Sequence, residues 1–298
     1  MLFRRLFLCA LLVGVASGLL HAALQRLQVV PLIAAAEVHE SAASPAAPPH
    51  ASHHDAAPAP AAAHEHTHER PHESIHVHED AGAHEHTHTH SHDADEWQPA
   101  DGLERTVWTI VANILAATGY ALLMIPMLAL WDRSRGGTAA SWKTGLAWGA
   151  CAWLATFALP GIGLPPELPG MEAAELRSRQ AWWLLCVVCS GAGLAAWLLA
   201  RRHVWAWRGI GAVLLALPFA VGAPQPDGDA LAAFSGDAAV QMHLLWAQFI
   251  WATALATALY WLALGALSAV AVARWVRPLT RPGTLGGATL TPAMERAL

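Results

Sequence analysis

The chain has 298 residues, of which 55% are hydrophobic and only 13% are charged. Soluble globular domains average about 25% charged residues, so this composition and a mean hydropathy of +0.36 exclude an ordinary soluble domain and indicate several membrane spans. The net charge of −5 comes without a basic patch, which excludes nucleic acid as an expected partner. The only lysine, Lys143, is not part of a phosphate-binding loop, so we expect no ATPase here.

The first predicted span follows Arg4 and Arg5 and covers the apolar run 6–24, which is long enough to cross a bilayer. A basic start before an apolar run is also typical of a signal peptide. This run is long for one, so we favour a retained helix. Residues 25–40 are too short and too broken to cross again, and predict an interfacial segment. We therefore place the first helix and the interfacial segment in 1–36, and count the charged end of the segment, residues 37–40, with the loop that follows.

Residues 37–103 predict a disordered external loop, because they offer almost nothing that builds a core. Histidines dominate its centre, and neutral imidazole is the commonest protein ligand for divalent transition metals. A flexible run of them offers many overlapping chelates, so we predict metal capture; the alternative is a solvated spacer. The candidate ligands are His50, His53, His54, His64, His66, His68, His72, His76, His78, His84, His86, His88, His90 and His92, fourteen of the 18 histidines.

Five further spans follow and predict a bundle over 104–277, with a tail at 278–298. Their predicted ranges are 107–131, 142–159, 181–200, 209–221 and 244–272. The predicted fold is therefore an all-α, polytopic inner-membrane bundle of about six helices, or five if the first is cleaved. Gly14 and Gly18 form a small-xxx-small pair suited to close helix contact. His21 and Asn113 are polar at membrane depth, where such residues tend to face the bundle interior.

Basic residues predict the orientation of the chain. With six spans, twelve of the 17 Lys and Arg residues fall on the side that holds Met1. This bias places both termini in the cytoplasm of a bacterial cell and the His-rich loop in the periplasm. The loops at 160–180 and 223–241 should then also face outward.

These outward segments carry carboxylates and one imidazole, a combination that suits a vestibule for a divalent cation. Glu172 and Glu175 are three apart, so a helix leading into the fourth span would put them on one face. Solvation of the loops and helix capping are the plainer roles. The candidates are Glu37, His39, Glu40, Glu167, Glu172, Glu175 and Asp227. No nucleophile with a base is recognisable, so we predict no enzyme.

Three stretches resemble the CbtA family of predicted cobalt transporter subunits: Val30–Glu40, Leu164–Gly170 with Arg179–Trp183, and Leu217–Pro226. The resemblance covers essentially the whole chain. It implies uptake of Co²⁺ as substrate, no tightly bound cofactor, and a small single-span partner with its own histidines, CbtB. Two positions depart from the family pattern. Phe219 stands where we expect His, and His39 stands where Tyr is more usual.

Two functions fit these features. The first is a transport subunit in which Glu37, His39 and Glu167, with Glu172 or Asp227, form an entry site for the ion. The second is a membrane-anchored metal buffer or sensor that moves no ion. Imidazole sites follow the Irving–Williams order, so the loop should bind Ni²⁺ or Zn²⁺ as well as Co²⁺.

Overall fold

The computed structural model of the protein describes residues 2–43, 99–100, 102–199 and 203–280. These residues form six helices that are long and apolar enough to cross a membrane, and no strand occurs within these ranges. The predicted all-helical bundle of six spans is therefore confirmed. The helices are α1 (Leu2–Ala43), α2 (Leu103–Ser134), α3 (Trp142–Gly163), α4 (Leu176–Leu198), α5 (Val204–Val221) and α6 (Gly236–Val276).

Glycines set the closest helix contacts. A Cβ atom at Gly14 would lie 2.5 Å from the Cα of Thr118 in α2, and one at Gly18 would lie 2.7 Å from the Cα of Ile114. Helices in lipid associate through close van der Waals packing, which small residues permit, so the predicted role of this glycine pair is confirmed. The same kind of contact joins α3 to α6 and α4 to α5, at Gly145, Gly149 and Gly265, and at Gly193 and Gly211.

Two buried clusters form the core. The first joins α1, α2, α3 and α6 in the part of the bundle that contains Val13, Ile125 and Leu264. The second joins the later part of α1, the early part of α6 and two loops, which contribute Leu168 and Leu231. Helix α1 contributes to both clusters, so it is an integral part of the bundle.

Helices α1 and α6 are longer than a membrane requires, with 42 and 41 residues. At 1.5 Å per residue each is roughly 60 Å long, whereas the hydrocarbon core is about 30 Å thick. The charge-free run 6–25 of α1 matches that thickness. The rest of α1 continues the same helix without a break, through the stretch predicted as an interfacial segment. It also runs to Ala43, past the predicted start of the loop at residue 37.

A proline accounts for the wrong predicted end of the third span. We expected a helix end at Pro160, but a π-helical turn over Leu154–Ala158 precedes it and the helix continues to Gly163. Proline clashes with the carbonyl four residues back, and the wider turn relieves that clash. The carbonyl in question belongs to Thr156, and it accepts a hydrogen bond from Trp183 Nε1 at 3.2 Å. Similar turns precede two further prolines, at Gln25–Val29 before Pro31 and at Val272–Val276 before Pro278. Pro126 and Pro218 lie inside helices without such a turn.

Candidate ion-binding site in the cap

The helix extensions and two loops build a compact structure at one end of the bundle, which we call the cap. It comprises residues 30–43 of α1, 236–255 of α6, and the loops 164–175 and 222–235. Trp246 Nε1 donates to Pro166 O at 2.9 Å, and Glu172 N donates to Ala230 O at 2.9 Å. These bonds tie both loops to α6 and to each other. The buried core of the cap includes Leu168, Leu231, Phe234, Met242 and Phe249.

Gly170 fixes the path of the first loop. Its φ of +79° lies in the left-handed region, and a Cβ there would lie 2.9 Å from Phe234 Cζ and 3.2 Å from Glu40 Cβ. Only glycine suits both the conformation and the space. The loop that carries Glu167 is therefore held against α1, with Glu40 packed beside it.

Glu167 is partly buried and paired. Its Oε2 lies 2.6 Å from the guanidinium of Arg179 in α4, and the two side chains are 23% and 29% exposed. Burial raises the pKa of the Glu167 carboxyl, and Arg179 opposes that shift without cancelling it. Keeping this partly buried carboxyl group ionised therefore costs free energy, and a second cation bound beside it would lower that cost.

Glu37 is also paired with an arginine, on the other side of the cap. Its Oε1 lies 2.9 Å from the guanidinium of Arg105 in α2, with side chains 39% and 48% exposed. Such an exposed pair contributes only about 0–1 kcal/mol, so a divalent cation can compete for the carboxylate. Both residues line a groove of about 600 Å³ between α1 and α2, which Arg26 also lines.

A cavity of about 240 Å³ lies between the two loops. Three carboxylates line it, from Glu167, Glu172 and Asp229, next to Trp246. Asp227, which we predicted as a site residue, is exposed and is not among the lining residues. The prediction therefore named Asp227 and omitted Asp229, because nothing in the sequence shows which of the two aspartates of this loop lies at the cavity.

Glu175 has a structural role. It accepts hydrogen bonds from the backbone N of Ser178 at 3.1 Å and from its hydroxyl, which is the arrangement of a helix cap. These bonds lower the pKa of Glu175. Because α4 begins only at Leu176, the expected helix over 172–175 is not formed, and Glu172 and Glu175 do not share a helical face. The bond from Glu172 N to Ala230 O holds that stretch as a loop instead.

The predicted entry site is not assembled as we expected. Among the described residues, no three His, Cys, Asp or Glu side chains lie close enough together to hold one metal ion. Glu37 is paired towards α2 and Glu167 towards α4, while His39 lies partly buried on α1. The fourteen histidines of the predicted external loop lie outside the described residues.

Polar residues at membrane depth face the bundle, as expected. Asn113 Nδ2 donates to Gln25 Oε1 at 2.6 Å across the contact between α1 and α2, and His21 is only 8% exposed. We missed Tyr260, whose ring lies 4.6 Å from that of His21. We also missed an ion pair between Asp132 and Arg277 at the end opposite the cap, because 145 residues separate its members in sequence.

Six helices that are long and apolar enough to cross a membrane define a multi-pass membrane protein. A model of the CbtA family, described as a probable cobalt transporter subunit, matches residues 3–273. The match covers most of the chain, so the protein belongs to the CbtA family, and the resemblance found in the sequence is confirmed. Comparison with curated proteins and with solved structures gave no match.

Proposed function

We propose that the protein is the membrane subunit of a bacterial cobalt-uptake transporter in the inner membrane. The family match over residues 3–273 carries this proposal. The basic residues support an orientation with both termini in the cytoplasm and with the cap and His-rich loop in the periplasm. Inward movement of a divalent ion at a potential of about 100 mV gains roughly 4–5 kcal/mol, and this gain could drive uptake without ATP.

Uptake of radioactive cobalt by cells with and without the gene tests the proposal. We expect saturable uptake that depends on the gene. A metal buffer or sensor would instead bind at most a fixed number of ions per protein. In membrane vesicles, lysis releases transported cobalt but leaves bound cobalt on the protein, so cobalt that is never released by lysis would favour the buffer.

The orientation has its own test. Ser91→Cys introduces a thiol into the His-rich loop, and all four native cysteines lie in apolar segments. A membrane-impermeant thiol reagent should label this variant in intact spheroplasts. Labelling only after lysis would reverse the orientation.

The His-rich loop is proposed to collect metal for the transporter. It is long and repetitive, which suits collection better than gating. Deletion of residues 50–92 should therefore raise the KM for cobalt and leave the maximal rate nearly unchanged. Complete loss of uptake at saturating cobalt would contradict this role. Ni²⁺ and Zn²⁺ should compete for the loop, because imidazole binds them as well as Co²⁺.

The carboxylates of the cap are proposed to receive the ion, with Glu37 and Glu167 as first ligands. Glu40, Glu172 and Asp229 lie nearby on the same structure, and His39 would favour a transition metal over Mg²⁺. The arginine pairs support this role, since they neutralise both carboxylates until a divalent cation competes for them.

Arginine variants separate this role from a structural one. If Glu167 is a ligand, Arg179→Gln should lower the KM for cobalt severalfold, because it removes a competing cation. Glu167→Gln should raise it. Arg177→Gln is the matched control, since Arg177 is exposed two residues away. An Arg179→Gln variant with the parental KM would assign Glu167 to the ion pair alone.

A partner completes the proposal. The family is described as a subunit, which supports a second component, and the resemblance points to a small single-span protein with histidines of its own. Co-expression of such a subunit should increase cobalt uptake well above that of this chain alone. Equal uptake with and without it would indicate that this chain suffices.

A further inference from the structure

Two buried polar side chains meet in the middle of the interface between α1 and α6. The rings of His21 and Tyr260 pack edge to face, with centroids 4.6 Å apart. Their exposed fractions are only 8% and 7%. Within the described ranges, neither His21 Nδ1 nor the Tyr260 hydroxyl has a hydrogen-bond partner. An apolar pair of similar size would pack there without leaving two polar atoms unpaired, so packing alone does not account for these residue types.

Two further polar residues of α1 lie one turn before and one turn after His21. Ser17, His21 and Gln25 follow at intervals of four residues, so they share one face of the helix. Ser17 is fully buried, and Gln25 accepts the hydrogen bond from Asn113. All three lie in the charge-free run that matches the lipid thickness. The stripe leads from the cap into the bundle.

Helix α6 also carries a buried polar residue besides Tyr260. Arg5 NH1 contacts Trp275 O at 3.5 Å, and together with the contact of His21 and Tyr260 this sets an antiparallel register. Ser268 lies eight residues beyond Tyr260 on α6, fully buried, and its hydroxyl also lacks a partner in the part of the chain that the structure describes. Buried or paired polar groups therefore occur on α1 before and after His21 and on α6 beyond Tyr260.

We infer that His21 and Tyr260 form a transit site inside the membrane for a divalent transition-metal ion, with His21 Nδ1 and the Tyr260 oxygen as its two protein ligands. The inference rests on the proposed transport function and names the place in the bundle where selectivity arises. Imidazole binds Co²⁺, Ni²⁺ and Zn²⁺, whereas Mg²⁺ and Ca²⁺ require oxygen ligands and bind best to carboxylates. With two protein ligands, the ion keeps water in its remaining positions.

Three variants of the full chain test the site in cells by uptake of radioactive cobalt, with competition by Zn²⁺, Cd²⁺ and Mg²⁺. His21→Gln removes the imidazole and should lower the maximal cobalt rate at least tenfold. His21→Cys replaces it by a softer ligand and should retain more uptake, with the preference shifted towards Cd²⁺. Tyr260→Phe keeps the ring and should lower the rate severalfold. The control is His203→Gln, the same change at an exposed histidine that lies outside the cap and before α5.

The outcomes are distinguishable. If the parent itself takes up no cobalt, the proposed function fails and the transit site with it. If the parent transports and His21→Gln matches it in rate and metal preference, only the transit site is overturned. Equal losses in His21→Gln and His21→Cys with unchanged preference also overturn it, because they indicate packing. Should neither variant accumulate in the membrane, a parental rate for Tyr260→Phe overturns the site.

Discussion

The ion pair at the end of the bundle opposite the cap gives a quantitative prediction. Arg277 donates from Nε to Asp132 Oδ2 and from NH2 to Oδ1, both at 3.0 Å. Ala140 lies between them, with its N donating to Asp132 Oδ1 at 2.7 Å and its O accepting from Arg277 at 2.7 Å. The side chain of Asp132 is 3% exposed and that of Arg277 is 18% exposed. One pair therefore joins α2, the loop before α3 and the end of α6.

Asp132→Ala should lower the free energy of unfolding by about 4 kcal/mol. Breaking one partner of a buried pair costs about 3–5 kcal/mol, and this change also removes the acceptor of the Ala140 amide. Because Arg277 is partly exposed, water can solvate its guanidinium once Asp132 is removed, and this limits the loss in free energy of unfolding. Replacing both members, as Asp132→Leu with Arg277→Met, should recover the part of the loss that comes from the unpaired buried charge, while the Ala140 amide still lacks its acceptor.

Chemical unfolding in detergent micelles measures these changes, and a double-mutant cycle isolates the interaction of the pair. Arg133→Ala is the control, because it removes a neighbouring exposed charge and should cost less than about 0.5 kcal/mol. A loss below about 1 kcal/mol for Asp132→Ala would refute the reasoning, since buried pairs cost more than that to break. A double variant as unstable as the single one would show that packing, not charge, holds this end together.

Three further changes test the fold and the loop. Gly14→Ala should cost about 1–3 kcal/mol by overpacking the contact of α1 with α2, whereas Gly119→Ala, where a Cβ meets nothing within 4 Å, should be tolerated. Gly170→Ala should lower the free energy of unfolding by at least about 1–2 kcal/mol, because alanine is strained in the left-handed backbone conformation of this residue. Gly161→Ala is its control, since a Cβ there meets nothing within 4 Å and its φ is ordinary. Thermal melting compares the two variants of each pair. Cobalt binding by a peptide of residues 50–92 should weaken steeply from about pH 7 to 5.5, because free imidazole with a pKa of about 6.5 must lose its proton to bind a metal ion. Calorimetry measures the affinity at both pH values, and equal affinities would assign the binding to carboxylates.

The spans were predictable because lipid imposes a simple rule on composition. Each apolar run of sufficient length became a helix, and the glycine pair in the first run marked its closest contact. The predicted end of the third span before Pro160 was wrong, and the first helix likewise continues past Pro31. Sequence reasoning treats proline as ending the hydrogen-bond pattern, but a preceding π-helical turn allows the helix to continue.

The site was harder to predict than the spans, because it depends on pairings between distant residues. The sequence identified Glu37 as a candidate but gave no sign that Arg105, 68 residues further on, neutralises it. Glu175 followed the plainer alternative of a helix cap, since its partner Ser178 is local. Tyr260 was missed because a single tyrosine in a long apolar run has no sequence signal. It becomes a candidate only in the structure, where its ring packs against that of His21.

Under the proposed function, selectivity for cobalt arises late in the path of the ion. Imidazoles of an external His-rich loop would bind Ni²⁺, Zn²⁺ and Co²⁺ in the order that ligand chemistry dictates. The carboxylates of the cap would accept any divalent cation that displaces their arginine partners. Among the described residues, His21 is the only buried histidine, and it lies inside the bundle. If His21 is a ligand as inferred, hard ions that pass the cap would be excluded where oxygen ligands are scarce, and a transition metal would proceed.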